Sequence, residues 1–299
     1  MAVAQELHFS RAAEKLHIDQ SPLSRTIKEL EEDVGASLFS RTTRSTRLTR
    51  AGQLFLEHVP RVFAALEQAR ASVQAAAAGY QGQLRIALSD GVTPARLSVL
   101  MALCRREDPE IAIHIDEVPL VQQIKGLHED LYDIGLAQSE DVGDGILSEI
   151  AWSDPVHVMV PARHPLLAYK RIPLEEVLRY PLAMGDPQCR EGYCRQIERI
   201  LRTVDQEPLV AEQVKSFDLM IALVAAGYAL GLVGASQIAL SQELGIVARP
   251  LAGHARLTTW LLRRDDAPPE SVVRFIDRLA ALGLSSLQSH PAAPEEAQR

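Results

Sequence analysis

The apolar periodicity of this 299-residue chain changes at Leu84, and this change limits what the chain can fold into. Before that point apolar residues recur every three or four positions, which is typical of amphipathic helices. After it, strand-like runs such as "LRIAL", "IAIHIDEV" and "YDIGLAQ" alternate with helical stretches. Such alternation predicts an α/β fold with a parallel, doubly wound sheet. We therefore expect a helical N-terminal part followed by a larger α/β part.

Residues 12–39, "AAEKLHIDQSPLSRTIKELEEDVGASLF", have the pattern of two helices joined by a tight turn. Ser21 is predicted to cap the second helix, with Pro22 at its first position, where a missing N–H has little effect. Gly35 is predicted to end that helix. An apolar stripe at helical spacing runs along it: Leu23, Ile27, Leu30 and Val34. The spacing predicts a helix–turn–helix.

Positive charge is concentrated after this helix pair. The whole chain has a net charge of −8, but residues 1–80 contain ten Lys and Arg against nine Asp and Glu. The segment "SLFSRTTRSTRLTRAG" alternates β-branched residues and arginines around serine, which predicts a short β-ribbon, or wing. Four arginines lie in ten residues without an acid: Arg41, Arg44, Arg47 and Arg50. A basic cluster on an acidic protein indicates a nucleic-acid contact.

A helix that enters the DNA major groove needs short hydrogen-bonding and basic side chains near its N-terminus. The second helix provides these with Gln20, Ser21, Pro22, Ser24 and Arg25. We expect Gln20 and Arg25 to contact base edges and Ser24 to contact a base or a phosphate. Lys28 and the four arginines are expected to bind backbone phosphate or the minor groove. The alternative is a solvated helix face beside a basic loop.

Residues 51–78 predict one long helix with a heptad repeat. Its apolar positions alternate in steps of three and four: Val59, Val62, Leu66, Ala69, Val73 and Ala76. This pattern is typical of a coiled-coil seam, although it also fits the core face of a single helix. We favour a dimer seam, because a long helix between domains has no core of its own.

The α/β part divides into two sets of strands and helices joined by crossings. We predict lobe I at about residues 81–152 and 256–285, lobe II at about 153–255, and a disordered polar tail at 286–299. Two small lobes linked in this way leave a cleft between them, which is a common place for a small ligand.

Several function classes lack support in the sequence. No Gly-rich phosphate loop, metal-ligand spacing or nucleophile motif is present, so we expect no enzyme activity, catalytic residue, metal or cofactor. Charge or proline interrupts every apolar window well before about 20 residues, so no membrane contact is expected. Three cysteines do not make a disulfide framework, which predicts a cytoplasmic protein.

The chain resembles the LysR-type transcriptional regulators of bacteria. The resemblance is carried by "ELHFSRAAEKLHIDQSPLSRTIKELEEDVGASLFSRTTRSTRLTRAG", "GQLRIAL", "LYDIGLA", "VMVPARHPL" and "LVAAGYALGLVGAS", in the family's order. It implies a winged helix–turn–helix DNA-binding domain at 1–50, a linker and dimerisation helix at 51–80, and a two-lobed, periplasmic-binding-protein-like effector domain at 81–299. It also implies double-stranded promoter DNA and a small-molecule effector as partners, a homodimer through the linker helix, a homotetramer, and contact with RNA polymerase.

The resemblance further implies where the effector binds. One set of contacts follows the first strand of lobe I: Ser89, Asp90, Gly91, Val92 and Thr93. Another follows the second strand: Pro119, Leu120 and Val121. A third lies in lobe II: Met184, Gly185 and Asp186, with Phe217 nearby. The helix that starts near Thr93 offers N–H groups to a ligand carboxylate, whereas Asp90 argues against a simple anion.

Two alternatives accompany this hypothesis. Some family members sense peroxide through a cysteine pair, and Cys189 and Cys194 in "DPQCREGYC" lie in a similar region, where Arg190 and Arg195 could lower a thiol pKa. The family's first helix also begins before the position that matches Met1. The second alternative is therefore a small-molecule-binding protein whose DNA domain is inactive.

Overall fold

The computed structural model describes residues 1–41, 46–90, 92, 94–240 and 245–288. The chain forms two compact units, Met1–Val73 and Gln74–Arg299. One helix, Arg50–Ala77, spans the point at which the units divide. The predicted domain boundaries at residues 50 and 80 therefore stay predictions.

The N-terminal unit contains short helices, a two-stranded antiparallel ribbon and most of the long helix. Its elements are α1 (Ala2–Glu6), α2 (Phe9–Lys15), α3 (Gln20–Val34), β1 (Phe39–Arg41), β2 (Thr46–Leu48) and α4 (Arg50–Ala77). The predicted helix–turn–helix corresponds to α2 and α3, the predicted wing to β1 and β2, and the predicted long helix to α4. Arg44 lies outside the described residues.

The start of α3 differs from the prediction, because Asp19 is the N-cap and Gln20 the first helical residue. Pro22 is therefore the third helical residue rather than the first. This position is still tolerated, since the first four N–H groups of a helix have no partner within it. Gly35 ends the helix with a left-handed φ of 72°, as predicted.

A small apolar core fixes the orientation of α3. It consists of Val3, Phe9, Ala12, Ala13 and Leu23. The two alanines let α2 and α3 approach closely, so α3 buries Leu23 and leaves its other face exposed. This core is the reason the helix pair can present a fixed polar surface.

Two contacts position the ribbon and the start of α4. Glu31 Oε1 accepts the N–H groups of Leu38 at 2.7 Å and Phe39 at 2.9 Å, which holds the chain at the entry to β1. Gly52 lies so close to Leu38 that a Cβ would sit 2.0 Å from the Leu38 carbonyl oxygen. Only glycine permits this approach between α4 and the segment before the ribbon.

Lobe I of the second unit is built on parallel strands. Its elements are β3 (Gly82–Leu88), α5 (Pro94–Glu107), β4 (Ile111–Glu117), α6 (Leu120–His128) and β5 (Ile134–Ala137), joined later by β11 (Arg256–Arg264) and α10 (Glu270–Gln288). Strand β3 pairs in parallel with β4 and β5. The closing helix reaches Gln288, past the predicted start of the tail at residue 286, and residues 289–299 lie outside the described part.

Lobe II has its own core, centred on buried side chains such as Val158, Tyr193 and Val224. Between β5 and β11 the chain forms β6 (Ile146–Pro161), α7 (Leu174–Val177), β7 (Leu182–Gly185), α8 (Glu191–Leu201), β8 (Val210–Val214), α9 (Phe217–Ala225), β9 (Gly231–Gly234) and β10 (Ile246–Pro250). Strands β7 and β8 pair in parallel, whereas β9 and β10 are antiparallel to β6.

The seven-stranded sheet that contains β6 is therefore mixed, so the prediction of a parallel sheet holds for β3, β4 and β5 and is wrong for β6, β9, β10 and β11. The difference comes from β6, a 16-residue strand that continues across the predicted lobe boundary at residues 152 and 153. It pairs antiparallel with β11, so both strands pass from one lobe to the other. Their register shifts between Thr259 and Trp260, which marks a β-bulge near the predicted lobe boundary.

Candidate functional site

The N-terminal end of α3 forms an exposed polar surface in the first unit. Gln20, Ser21, Pro22 and Arg25 are exposed, and Ser24 is half-buried. The Ser10 hydroxyl of α2 donates to Gln20 Oε1 at 2.8 Å, which fixes the carbonyl end of that amide. The structure thus brings the predicted base-contacting residues together on one helix end.

The described basic residues predicted to contact phosphate lie on α3, on the ribbon and at the start of α4. Lys28 lies farther along α3 and pairs with Glu32 at 3.4 Å, while Arg47 in β2 and Arg50 at the start of α4 are exposed. Arg41 is the last residue of β1. Pairs between exposed charges contribute little free energy, so a phosphate can readily replace Glu32 beside Lys28.

Helix α4 carries apolar side chains that its own unit does not cover. Val62 and Val73 are each 69% exposed, and Leu66 is 47% exposed. These three residues belong to the predicted heptad stripe. An exposed apolar stripe on a long helix is typical of a helix that pairs with another copy.

A cavity of about 510 Å³ lies between the lobes of the second unit. Five residues predicted from the resemblance line it: Ser89, Asp90, Val92, Pro119 and Phe217. Further lining residues were not predicted as effector contacts, among them Cys189, Arg190, Lys215 and Gln237. Its volume suits a small organic molecule.

Asp90 connects the two lobes by hydrogen bonds at this cavity. It follows β3 with a left-handed φ of 59°, and its side chain is buried. Its Oδ1 accepts the Gly192 N–H of α8 at 3.0 Å, and its Oδ2 accepts the Gln138 N–H at 3.2 Å and lies 3.1 Å from Ser89 Oγ. Burial raises the pKa of Asp90 above its ordinary value, while these hydrogen bonds and Arg190 act in the opposite direction.

Gln196 of α8 adds to this connection. Its amide nitrogen donates to the carbonyl oxygens of Gln138 at 2.7 Å and Thr258 at 2.8 Å, and its amide oxygen accepts the Thr258 N–H at 2.8 Å. A Cβ on Gly192 would lie 2.6 Å from Asp90 Oδ2, so only glycine fits there. We call Asp90, Gln138, Gly192 and Gln196 the inter-lobe contact.

Arg190 is the N-cap residue of α8 and is 3% exposed. Its guanidinium carbon stacks 4.2 Å above the centre of the Tyr193 ring, and its Nη2 lies 3.5 Å from the Asp90 carbonyl oxygen. Its Nε and Nη1 atoms are buried and have no hydrogen-bond partner among the described residues. Arg190 therefore holds a permanent buried charge at the cavity wall.

The other predicted effector residues lie elsewhere. Met184 and Gly185 of β7 line a separate cavity of about 820 Å³ within lobe II, because β7 packs against Tyr193 and Cys194 of α8. Leu120 is buried in lobe I, and Val121 is exposed on α6. Asp186 caps the turn before α8 by accepting the Gln188 N–H at 2.9 Å. Gly91 and Thr93 lie outside the described residues.

Cys194 lacks the properties that the redox alternative requires of a reactive thiol. Cys194 is buried, its Sγ donates to the Gly185 carbonyl at 3.1 Å, and burial raises its pKa to about 11. A peroxide-sensing thiol needs a lowered pKa. Cys189 is half-buried and lines the inter-lobe cavity.

Other chemistry finds no support in the described part of the chain. Its histidine, cysteine and acidic side chains form no group suited to a metal ion. None of the described helices is both long enough and apolar enough to cross a membrane.

A helix–turn–helix unit with a cluster of arginines and a two-lobed unit with a central cavity define the class of ligand-responsive DNA-binding proteins. Residues 1–53 match the family described as "Bacterial regulatory helix-turn-helix protein, lysR family", and residues 77–283 match the "LysR substrate binding domain". The chain belongs to the LysR family. It is a DNA-binding transcriptional regulator with an effector-binding domain and not an enzyme, which confirms the prediction.

Named relatives agree with this assignment. The uncharacterized HTH-type transcriptional regulator YnfL of Escherichia coli (strain K12) is 32% identical over 237 residues, covering 79% of this chain and 80% of that protein. The HTH-type transcriptional regulator AlsR of Bacillus subtilis (strain 168) is 30% identical, covering 79% and 78%. Full-length CbnR complexed with its target DNA has the same fold, with a TM-score of 0.75, 23% identity, and coverage of 94% of this chain and 96% of that one.

Proposed function

We propose that this LysR-family regulator reads promoter DNA with the N-terminal end of α3 and responds to a small molecule in the inter-lobe cavity. The observation that carries the proposal is the exposed set Gln20, Ser21 and Arg25 on a helix whose opposite face is buried by Leu23. A helix held in this way can enter the major groove without refolding.

The proposed role of each residue in DNA binding follows from the chemistry of its side chain. Arg25 and Gln20 read base edges, because an arginine or glutamine can make two hydrogen bonds to one base. Lys28, Arg47 and Arg50 bind phosphate, which gives affinity but little sequence preference. We propose the same phosphate-binding role for Arg41 and Arg44.

The exposed stripe on α4 supports a homodimer in which two copies of α3 face successive major grooves. We further propose assembly into a homotetramer, a cytoplasmic location and contact with RNA polymerase at the promoter. Effector binding changes the angle between the lobes and so the spacing of the DNA-reading helices. The effector acts only through a difference in affinity for the two arrangements.

An electrophoretic mobility shift assay tests the DNA-reading proposal. The labelled probe is the DNA upstream of the chain's own gene, at low salt, with unlabelled probe or a scrambled fragment of equal length as competitor. We expect a retarded band that only the unlabelled probe competes away. Absence of any band at low salt would favour the alternative of a small-molecule-binding protein without DNA function.

A further inference from the structure

A side-chain hydrogen bond joins the two helices of the helix–turn–helix at the end that is proposed to read DNA. The Ser10 hydroxyl of α2 donates to Gln20 Oε1 of α3 at 2.8 Å. Gln20 is the first residue of α3, so the bond reaches the helix end that carries the predicted base contacts. Ser10 itself was not predicted from the sequence to take part in DNA binding.

The position of the Ser10 hydroxyl is set by the packing of α2. Phe9, next to Ser10, and Ala12 of the same helix are buried in one apolar core with Leu23 of α3. Because this core joins the two helices, it holds Ser10 at a fixed place relative to the start of α3. The hydroxyl therefore belongs to a rigid element, which is the kind of support that fixes a mobile side chain precisely.

Gln20 is a side chain that gains from such support. It is exposed, and an exposed glutamine samples many rotamers, so ordering it against a base costs conformational entropy. The bond from Ser10 holds the amide before DNA arrives. A carbonyl oxygen can accept a second hydrogen bond and the amide nitrogen has two donors, so the held amide can still contact one base with both atoms.

A direct phosphate contact is the other role that Ser10 can be considered for, since the first helix of such a pair crosses the DNA backbone. A serine hydroxyl has a single proton, and phosphate oxygens only accept hydrogen bonds. A Ser10 hydroxyl that donates to Gln20 has no proton left for a phosphate. The observed bond therefore favours an action through Gln20.

We propose that Ser10 is a positioning residue that sets how strongly Gln20 discriminates between bases. This inference rests on the proposed function, because it takes Gln20 as a residue that reads a base edge. Ser10 holds the Gln20 amide in one orientation, so that less ordering remains to be done in the major groove. Its effect is therefore confined to the base pair that Gln20 contacts.

Selection from randomised probes tests this role on the full-length protein. Each probe pool is the DNA upstream of the chain's own gene with one base pair randomised, and the bound fraction is sequenced. Gln20→Ala identifies the base pair that Gln20 reads, because the preference there is lost. Ser10→Ala should reduce the preference at that same base pair about fivefold and leave the other positions unchanged.

Two further variants separate the hydroxyl from other effects of substitution. Ser10→Thr keeps a hydroxyl and should retain most of the preference. Ser72→Ala is the matched control, because it also removes a serine hydroxyl from a helix of the same unit, where that hydroxyl donates to the Gln68 carbonyl oxygen at 2.9 Å. It should leave every preference unchanged. Melting temperatures without DNA show that each variant is folded.

A double variant decides between the two roles of Ser10. If Ser10 acts through Gln20, Ser10→Ala should change nothing further in a Gln20→Ala background. A loss of affinity that persists in that background, or that is equal for all probes, would show a phosphate contact and overturn the proposal. An unchanged preference in folded Ser10→Ala would reject the positioning role alone. Absence of any base preference in the unchanged protein would reject the proposed DNA reading together with it.

Discussion

The DNA-reading surface and the effector cavity are built in different ways. The surface comes from one helix end, with its predicted contacts between Gln20 and Lys28. The cavity is assembled from loops and element ends that lie between Leu88 and Gln237 along the chain. The side chains of the surface are exposed, and no core depends on them. Asp90 and Arg190 are buried, and they contact residues on which the packing of the lobes depends. Changes at the surface should therefore alter recognition alone, and changes at the cavity should alter both folding and response.

The largest effect should come from Gly192→Ala. The new Cβ would lie 2.6 Å from Asp90 Oδ2 and from the Gln138 backbone, which cannot move without separating the lobes. We expect the free energy of unfolding of the effector unit to fall by about 3 kcal/mol, as measured by Trp fluorescence in urea. The matched control is Gly82→Ala, whose Cβ would meet only the flexible end of Ile111 at 3.0 Å. Equal stability of the two variants would contradict the close inter-lobe contact.

A smaller effect, confined to recognition, is expected at the DNA surface. Arg25→Ala should reduce the preference for the specific probe over the scrambled one by about tenfold, because a base contact is lost. Arg47→Ala should weaken binding to both probes alike. It should also reduce the slope of the logarithm of the binding constant against the logarithm of salt concentration by the amount expected for about one phosphate contact. Mobility shifts at several salt concentrations measure both. If Arg25→Ala left the preference unchanged, our orientation of α3 on DNA would be wrong.

The smallest effect is the pH dependence that Asp90 adds. Burial raises its pKa in the folded protein, so the folded state holds this proton more tightly than the unfolded state does. The stability that Asp90 contributes is therefore lost as the pH rises from its ordinary pKa through the raised one. Urea titrations should show that the free energy of unfolding of the unchanged protein falls relative to that of Asp90→Asn as the pH rises between these two pKa values. A difference independent of pH would show that Asp90 does not titrate there.

Features that depend on near neighbours in the chain were predictable from the sequence. The helix pair, the wing and α4 follow from the spacing of apolar residues, small residues and arginines. The loops at Ser89 and Pro119 were expected from the family resemblance and not from the spacing of residues. The start of α3 was misplaced because Asp19 and Ser21 are both residues that commonly cap helices.

Features that depend on packing between lobes were not predictable. Arg190 lies between two cysteines, so the sequence linked it to thiol chemistry, yet the fold stacks it on Tyr193 and buries Cys194. The available signal was Gly192, whose lack of a side chain two residues later permits a close approach. Met184 and Gly185 were placed at the cleft by resemblance, but the packing of β7 behind α8 turns them to another cavity.

The continuity of β6 and β11 through both lobes determines what kind of joint the effector works against. Loops would let the lobes swing freely, whereas paired strands resist bending because each backbone hydrogen bond along them must be kept. The two-stranded connection between the lobes should therefore resist bending. We expect it to bend most easily at the bulge between Thr259 and Trp260. If this connection favours one angle between the lobes in the absence of ligand, the ligand must bind the other arrangement more tightly to change that angle.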